Sequence, residues 1–356
     1  MERQLNDNAL EYKSMVGFRT NWFVCPLPLG CDTYGNCEYG CPMCYCRQLD
    51  SHVWKKPFRP GKLEYFKQAF KPYEDSGIAL KVGSKSDPYP KVEQSEKVTR
   101  SVLKHLVNID YPFIVNTRSI GFERDLDLID NLFVGVLIGH HHLPYESPSL
   151  PSSSDRMEKA FEAADMGVTV CINAEPLLPN ISHDTLEEFA AYCGDSGIHA
   201  VNFYNFNFNK YNVQQMGIND AELMKLHDYY ISPQYVEDGN FLINRLRTYG
   251  VKVGCPDWVN FPYENDCLTC CGFDIEQHEK LSVFDFMRIL QEKGELTWGD
   301  VESLATEFDR ESGHLDDIKA KWGQFNQKEY FLDDLKNITF IKDEGKYLIV
   351  EKESWW

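Results

Sequence analysis

Apolar positions in this chain alternate between two spacings. Short β-branched runs stand at 15–25 (MVGFRTNWFVC), 78–83 (IALKVG), 113–119 (FIVNTRS), 132–139 (LFVGVLIG), 168–178 (VTVCINAEPLL) and 200–208 (AVNFYNFNF). Between them lie stretches with apolar residues three or four apart, at 61–70, 91–107, 123–132, 153–167 and 182–197. The first set predicts strands and the second amphipathic helices. Ser153 and Ser182 are the expected N-caps, and Gly167 and Gly197 the expected stops.

Six strands alternating with helices predict a parallel α/β architecture. Runs apolar on both faces suit a sheet covered on both sides, and the order fits a partial (β/α)6 barrel. Active sites of such barrels form at the carboxyl ends of the strands, so the residues after each run matter most. Helical patterns follow at 219–231 and 239–250, and a seventh strand-like run, VKVGC (251–255), leads into a second group of cysteines. From Ser282 onward three helical stretches precede ITFIKDEGKYLIVEKE (338–353), a predicted hairpin turning at Asp343–Gly345. The expected division is a barrel over 1–210, a Cys-rich extension over 211–281 and a small winged-helix-like α+β module over 282–356.

Composition narrows the class. The 356 residues are 43% hydrophobic and 26% charged, as expected of a packed globular protein. No stretch approaches the ~20 apolar residues of a membrane span, and residues 1–19 lack the pattern of a signal peptide. The expected location is the cytoplasm, with no membrane partner. A net charge of −19 argues against tight nonspecific binding to nucleic acid. Twelve cysteines in a reducing compartment point to metal or redox chemistry rather than disulfides. Cys171 and Cys193 stand apart as expected buried fillers. The others group at 25–46 and 255–271.

The first group contains Cys37-x3-Cys41-x2-Cys44. Three thiolates at this spacing can hold three irons of a four-iron cluster and leave the fourth open, while structural zinc closes four positions. On the cysteines alone both readings stand. The surrounding residues add a resemblance. Asn36–Tyr45 (NCEYGCPMCY), SKSDPYPKVE (84–93), VNTRSIGFERDLDLI (115–129) and AFEAADMGVTVCINAEPLLPN (160–180) resemble, in order, segments of the radical S-adenosylmethionine (SAM) superfamily in its spore photoproduct lyase-like branch. The resemblance covers about residues 15 to 210.

It implies a partial radical SAM barrel. Cys37, Cys41 and Cys44 would ligate a [4Fe–4S] cluster whose open iron takes SAM. One electron, from a donor such as flavodoxin or ferredoxin, would cleave SAM to a 5′-deoxyadenosyl radical. Tyr45 matches the aromatic position that the family packs near cluster and SAM. The branch carries a hydrogen-donating cysteine about where Ser84 stands, and a serine O–H bond is too strong to give up a hydrogen atom readily.

Strand-end polar residues supply the remaining candidates. Ser84, Ser86 and Asp87 follow the second run; Asn116 and Arg118 lie in the third; Asn173 and Glu175 lie in the fifth. All are expected to contact SAM, with Arg118 pairing its carboxylate. His140, first of three consecutive histidines, and Tyr204 are expected beside the substrate. Cys255, Cys267 and Cys270 form a candidate second site for [4Fe–4S] or zinc, and Cys271 a candidate hydrogen donor in place of Ser84.

These readings favour a radical SAM enzyme of lyase or isomerase type acting on a thymine-derived nucleotide or DNA base. Two other classes remain. One is a radical SAM enzyme modifying a peptide or small molecule with an auxiliary cluster, and the other a non-enzymatic zinc protein that binds a partner.

Overall fold

The computed structural model describes residues 15–18, 27, 29–44, 60–74, 79–129, 134–139, 147, 149–174, 176–205, 210–254, 260–261, 264–267, 269, 271–274, 303, 338–343 and 346–351. Eight strands form one sheet in sequence order: β1 (Val16–Phe18), β2 (Leu29–Cys31), β3 (Leu80–Val82), β4 (Phe113–Thr117), β5 (Val134–Gly139), β6 (Thr169–Asn173), β7 (Ala200–Asn202) and β8 (Lys252–Gly254). β1 runs antiparallel to β2, and every later neighbour pair is parallel. Sequential order with parallel pairing requires each crossover to return one strand over, as the predicted α/β architecture demands. The pairing of β8 with β7 carries the sheet past residue 210, with seven parallel strands among the described residues rather than six.

The first predicted strand is described in part. Val16–Phe18 forms a strand, an antiparallel neighbour of the parallel set, and 19–25 lie outside the described residues. The strand that leads into the cysteines is Leu29–Cys31, buried throughout. Pro26 and Pro28 disguise it, since proline within a run argues against a strand. Cys31 is therefore a fully buried strand residue.

The helices are α1 (Leu63–Phe70), α2 (Val98–Asn108), α3 (Ser153–Asp165), α4 (His183–Asp195), α5 (Lys210–Met216), α6 (Asp220–Tyr230) and α7 (Pro233–Thr248). α2 shows why they form where they do: Val98, Val102, Leu103 and Leu106 share one face and are buried against the sheet. Ser182 caps α4 by accepting from the Thr185 N–H at 3.1 Å, as predicted. The α3 cap is Ser152, one residue before the expected Ser153, in a capping box with Asp155. Gly167 and Gly197 end their helices at φ +87° and +69°.

Two helix predictions shift. The stretch 91–107 is broken at Lys97, φ +53°, into a single turn (Glu93–Glu96) and α2. α7 begins at Pro233, so Gly239 lies inside it rather than at its start. Phe261 packs there so closely that a Cβ on Gly239 would lie 2.2 Å from its ring. The predicted hairpin forms, with β9 (Ile338–Asp343) and β10 (Lys346–Glu351) antiparallel and Asp343 opposite Lys346. The predicted helices between 282 and 337 lie outside the described residues. Among the described residues no helix is long and apolar enough to cross a membrane.

Strand alternation sorts the core into two parts. Phe113 and Val115, Val170 and Ile172, Val201 and Val253 face the helices in the main cluster. Ile114, Cys171 and Ala200 face the other way, in a second cluster with Leu27, Ala79, Cys267, Cys271 and Phe273. Residues from separated strands share that inner cluster, so the sheet curves around it.

Gly83 positions the site next to be described. It has φ +91°, and a Cβ there would stand 2.3 Å from the Asn116 carbonyl oxygen and 2.6 Å from Pro88 Cδ. Gly167 has a similar φ, with nothing within 4 Å of its Cβ direction. Both Gly→Ala variants should lose about 1 kcal/mol of stability to the strain of an alanine at positive φ, and Gly83→Ala a further ~1–3 kcal/mol to overpacking. Thermal melts should show the larger drop in midpoint for Gly83→Ala; equal drops would contradict the packing described.

Candidate active site

Asp32, next after β2, is the first organising group. Its carboxylate accepts from the N–H of Lys85 at 2.7 Å and of Ser86 at 3.0 Å, and from the Ser84 hydroxyl at 3.1 Å. Ser86 Oγ also donates to the Tyr34 carbonyl at 2.8 Å. The loop after β3 is thus fastened to the loop after β2 through one buried carboxylate. Ser84 and Ser86, predicted to contact SAM, both spend hydroxyl contacts on this fastening.

Asp87 repeats the device one strand over. It accepts from the Thr117 hydroxyl at 2.9 Å, the Arg118 N–H at 2.7 Å and the Tyr89 N–H at 2.9 Å. Burial pushes its carboxyl pKa up, and these three donors and the Arg118 charge oppose the rise. Asp87 therefore ties the carboxyl end of β4 to the loop after β3.

The cysteine loop lies against both. Gly40 turns it at φ +61°, and the Cys44 N–H donates to the Cys41 carbonyl at 3.1 Å. The Tyr39 hydroxyl donates to the Tyr89 carbonyl at 2.7 Å, and Glu38 accepts from the Lys91 N–H at 2.6 Å. Burial pushes the Cys37 thiol up to about 12, while N–H donors from Asp87 and Tyr39 pull it down. Burial also raises Cys41, and the Arg118 charge and the Ser147 N–H oppose it. Arg118 Nη1 stands 3.8 Å from Met43 Sδ, which puts the guanidinium over the loop that carries all three thiols.

This donor set fits the cluster that the sequence implies. Thiols that are buried (Cys41) or half-buried (Cys37 and Cys44), with N–H donors and a cation at hand, are poor free thiolates but good ones once iron supplies positive charge.

Beneath the loops is a charge network that the sequence reading missed. Glu93, 2% exposed, accepts from Arg124 Nη2 at 2.7 Å, the Thr99 N–H at 3.0 Å, the Arg100 N–H at 3.2 Å and the Tyr34 hydroxyl. Arg124 also pairs with the fully buried Asp125 at 2.7 Å, and Arg100 bridges Asp125 and Asp127 at 2.7 Å each. The motif segments 84–93 and 115–129 thus meet as ion-pair partners. Their acid and base positions offered a signal, but which acid met which base was not readable along the chain.

The other predicted residues divide. Asn116 and Asn173 lie on the inward face of the sheet. Asn202, which the sequence reading passed over, shares that face with Ala200, stands opposite Asn173 in register, and is 3% exposed. Its Oδ1 is buried without a hydrogen-bond partner. Period-two alternation from Ala200 was the signal available for it. The Tyr204 carbonyl accepts from the Leu177 N–H at 3.0 Å beyond β7. Tyr45, His140, Glu175, Cys255 and Cys270 lie outside the described residues.

Of the second cysteine group, Cys267 and Cys271 are described, and they lie at the opposite end. Cys267 and Cys271 pack with Ala79, Ile114 and Ala200, at the amino ends of β3, β4 and β7. Ile114 and Arg118 are four residues apart, roughly 13 Å at about 3.3 Å per residue. Cys271 Sγ lies 3.3 Å from Thr269 Oγ1, inside this plug.

No family model matches the chain, and no curated protein matches it. Solved structures do. A cysteine-to-serine mutant of spore photoproduct lyase matches at 15% identity and TM-score 0.47, over 66% of this chain and 76% of that one. Spore photoproduct lyase complexed with dinucleoside spore photoproduct matches at 13% identity and TM-score 0.45, over 66% and 75%. Streptococcus suis SuiB bound to S-adenosylmethionine matches at 12% identity and TM-score 0.44, over 64% of this chain and 50% of SuiB. The match thus spans about half the length of SuiB.

Removing one member of the charge network strands the rest. Glu93→Ala should cost about 3–5 kcal/mol, because Arg124 and the Thr99 N–H lose a buried acceptor together. Denaturant unfolding measures it, and a loss below ~1 kcal/mol would show that the network carries little.

Proposed function

We propose that this protein is a radical SAM enzyme of lyase or isomerase type that takes hydrogen from a thymine-derived, pre-modified or ordinary, nucleotide or DNA base. The observation that carries the reading is the placement of Cys37, Cys41 and Cys44. They stand in one loop at the carboxyl end of the first parallel strand, Cys41 buried and Cys37 and Cys44 half-buried, with Arg118 over the loop. These three thiolates would hold the [4Fe–4S] cluster. When bound, cluster and SAM supply a 5′-deoxyadenosyl radical able to take hydrogen from an unactivated carbon.

The chain's own residues bind and orient. Arg118 is suited to the SAM carboxylate, since a guanidinium fork matches it bidentately. Asp32 and Asp87 hold the flanking loops in place, so the site is organised before ligand arrives. Ser84, Ser86, Asn116, Asn173, Glu175 and Tyr45 are assigned to the cofactor's surroundings. His140 and Tyr204 are assigned to the substrate side.

The pyrimidine assignment rests on the inward asparagines. A carboxamide offers a donor and an acceptor side by side, matching the carbonyl and N–H edge of a pyrimidine. Asn173 and Asn202 face inward as neighbours in register, and the side-chain Oδ1 of Asn202 has no donor. Ser84, bonded to Asp32, is no hydrogen donor, which favours rearrangement or bond cleavage over hydrogen return from that position. A second reading, a peptide or small-molecule substrate, draws on the net charge of −19, which disfavours a polyanion.

Anaerobic reconstitution should give about four iron and four sulfide per chain, and dithionite with SAM should release 5′-deoxyadenosine. Cys41→Ala should abolish both. Arg118→Ala should raise the KM for SAM about 10- to 100-fold, the loss of one charged bidentate contact of ~1.5–3 kcal/mol. Zinc in place of iron would overturn the proposal. Deuterium carried into 5′-deoxyadenosine from labelled thymidine nucleotides, and not from peptides, would establish the substrate class; the reverse would replace it with the second reading.

A further inference from the structure

The amino end of the sheet carries a second constellation that SAM chemistry does not use. His199 precedes β7, Lys252 opens β8, and Asp274 contacts both. His199 Nε2 lies 3.1 Å from Asp274 Oδ2, and Lys252 Nζ also pairs with Asp274. Cys267 Sγ joins them: the ligand atoms of His199, Cys267 and Asp274 all lie within 4.8 Å of one another, the one such group among the described residues. Cys267 is buried, and His199 and Asp274 reach the surface.

We propose that His199, Cys267 and Asp274 form a binding site for a single zinc-type divalent ion, which locks the 264–274 loop onto the amino end of the sheet. One imidazole, one thiolate and one carboxylate are the donor types that zinc accepts. Around a tetrahedral ion at about 2.0–2.1 Å, nitrogen and oxygen ligands stand ~3.3 Å apart, close to the spacing of His199 and Asp274. A single thiolate excludes an iron–sulfur cluster at these residues, since a cluster needs three or four.

The backbone holds the three donors in place. The His199 N–H donates to the Val170 carbonyl at 3.0 Å, and its carbonyl accepts from the Lys252 N–H at 3.1 Å. The loop bonds to β8 through the Asp266 N–H and Val253 carbonyl at 2.8 Å, and Asp266 Oδ2 accepts from the Val253 N–H at 2.9 Å. Arg247 clamps Asp266 at 2.8 Å from behind. Lys252 then acts as the outer hydrogen-bond partner that orients a ligating carboxylate. The Cys267 partners are thus a histidine and an aspartate from neighbouring elements, not only the cysteines beside it in sequence.

The test uses the full chain, as purified and as a Cys37→Ala/Cys41→Ala/Cys44→Ala variant, so that cluster iron does not enter the count. Each is stripped with chelator and titrated with zinc, with metal counted by mass spectrometry. One zinc per chain should survive dialysis in both. His199→Ala and Asp274→Asn, both at surface-reaching positions, should weaken binding at least 10-fold, and Cys267→Ser should abolish the thiolate-to-metal absorption of the cobalt-substituted protein. Zinc should raise the melting midpoint of the parent and not of His199→Ala. Failure to retain zinc would overturn the proposal. So would zinc that persists in His199→Ala and Asp274→Asn but is lost on replacing Cys255 and Cys270. Neither result bears on SAM cleavage, which the cluster-bearing protein reports separately.

Discussion

The buried carboxylate of Glu93 is the constraint from which the active-site end of this protein follows. A carboxylate at 2% exposure is tolerable only with its lone pairs filled, and here Arg124, Tyr34 and two backbone N–H groups fill them. Two of those donors are at the start of α2, so the chain cannot continue as one helix from Glu93. It breaks at Lys97 and restarts with its first N–H groups turned toward the carboxylate. The same pairings pull the segment after β4 against the segment after β3. Asp32 and Asp87 then fasten the cysteine loop and the end of β4 to that platform. Three acids do the positioning: Asp32 takes donors from the loop after β3, Asp87 chiefly from the end of β4, and Glu93 from the segments after β2 and β4 and the start of α2.

The sheet separates two chemistries along its length. At the carboxyl ends the inward face turns polar, with asparagines in β4, β6 and β7. At the amino ends the same face is Ile114, Cys171 and Ala200, sealed by Phe273 and two cysteines. At the carboxyl ends burial raises the Cys37 and Cys41 thiols. Cys37, Cys41 and Cys44 therefore lie at one end of the sheet, and Cys267 and Cys271 at the other.

Much of this was legible in the chain. The order of strands and helices follows from apolar spacing, because a strand buried on both faces and a helix buried on one leave different periodicities. The Cys37–Cys41–Cys44 spacing, the caps at Ser182 and the stops at Gly167 and Gly197 are likewise local, since each depends on residues within a turn of one another. The hairpin at 338–351 is of the same kind.

What the tertiary structure decided was every pairing between distant residues. The strand at Leu29–Cys31 is hidden by its prolines and exists because β1 and β3 supply hydrogen bonds on both sides. The joining of Glu93 to Arg124, the inward turn of Asn202 toward Asn173, and the meeting of Cys267 with His199 all depend on register and curvature. Sequence spacing carries no information about either. Cys271 shows the limit most plainly: its residue type is visible in the chain, and only the fold reveals that it packs at the amino ends of the strands. A side chain's chemistry is written in its identity, but its reach is set by the packing of elements that the chain brings together from far apart.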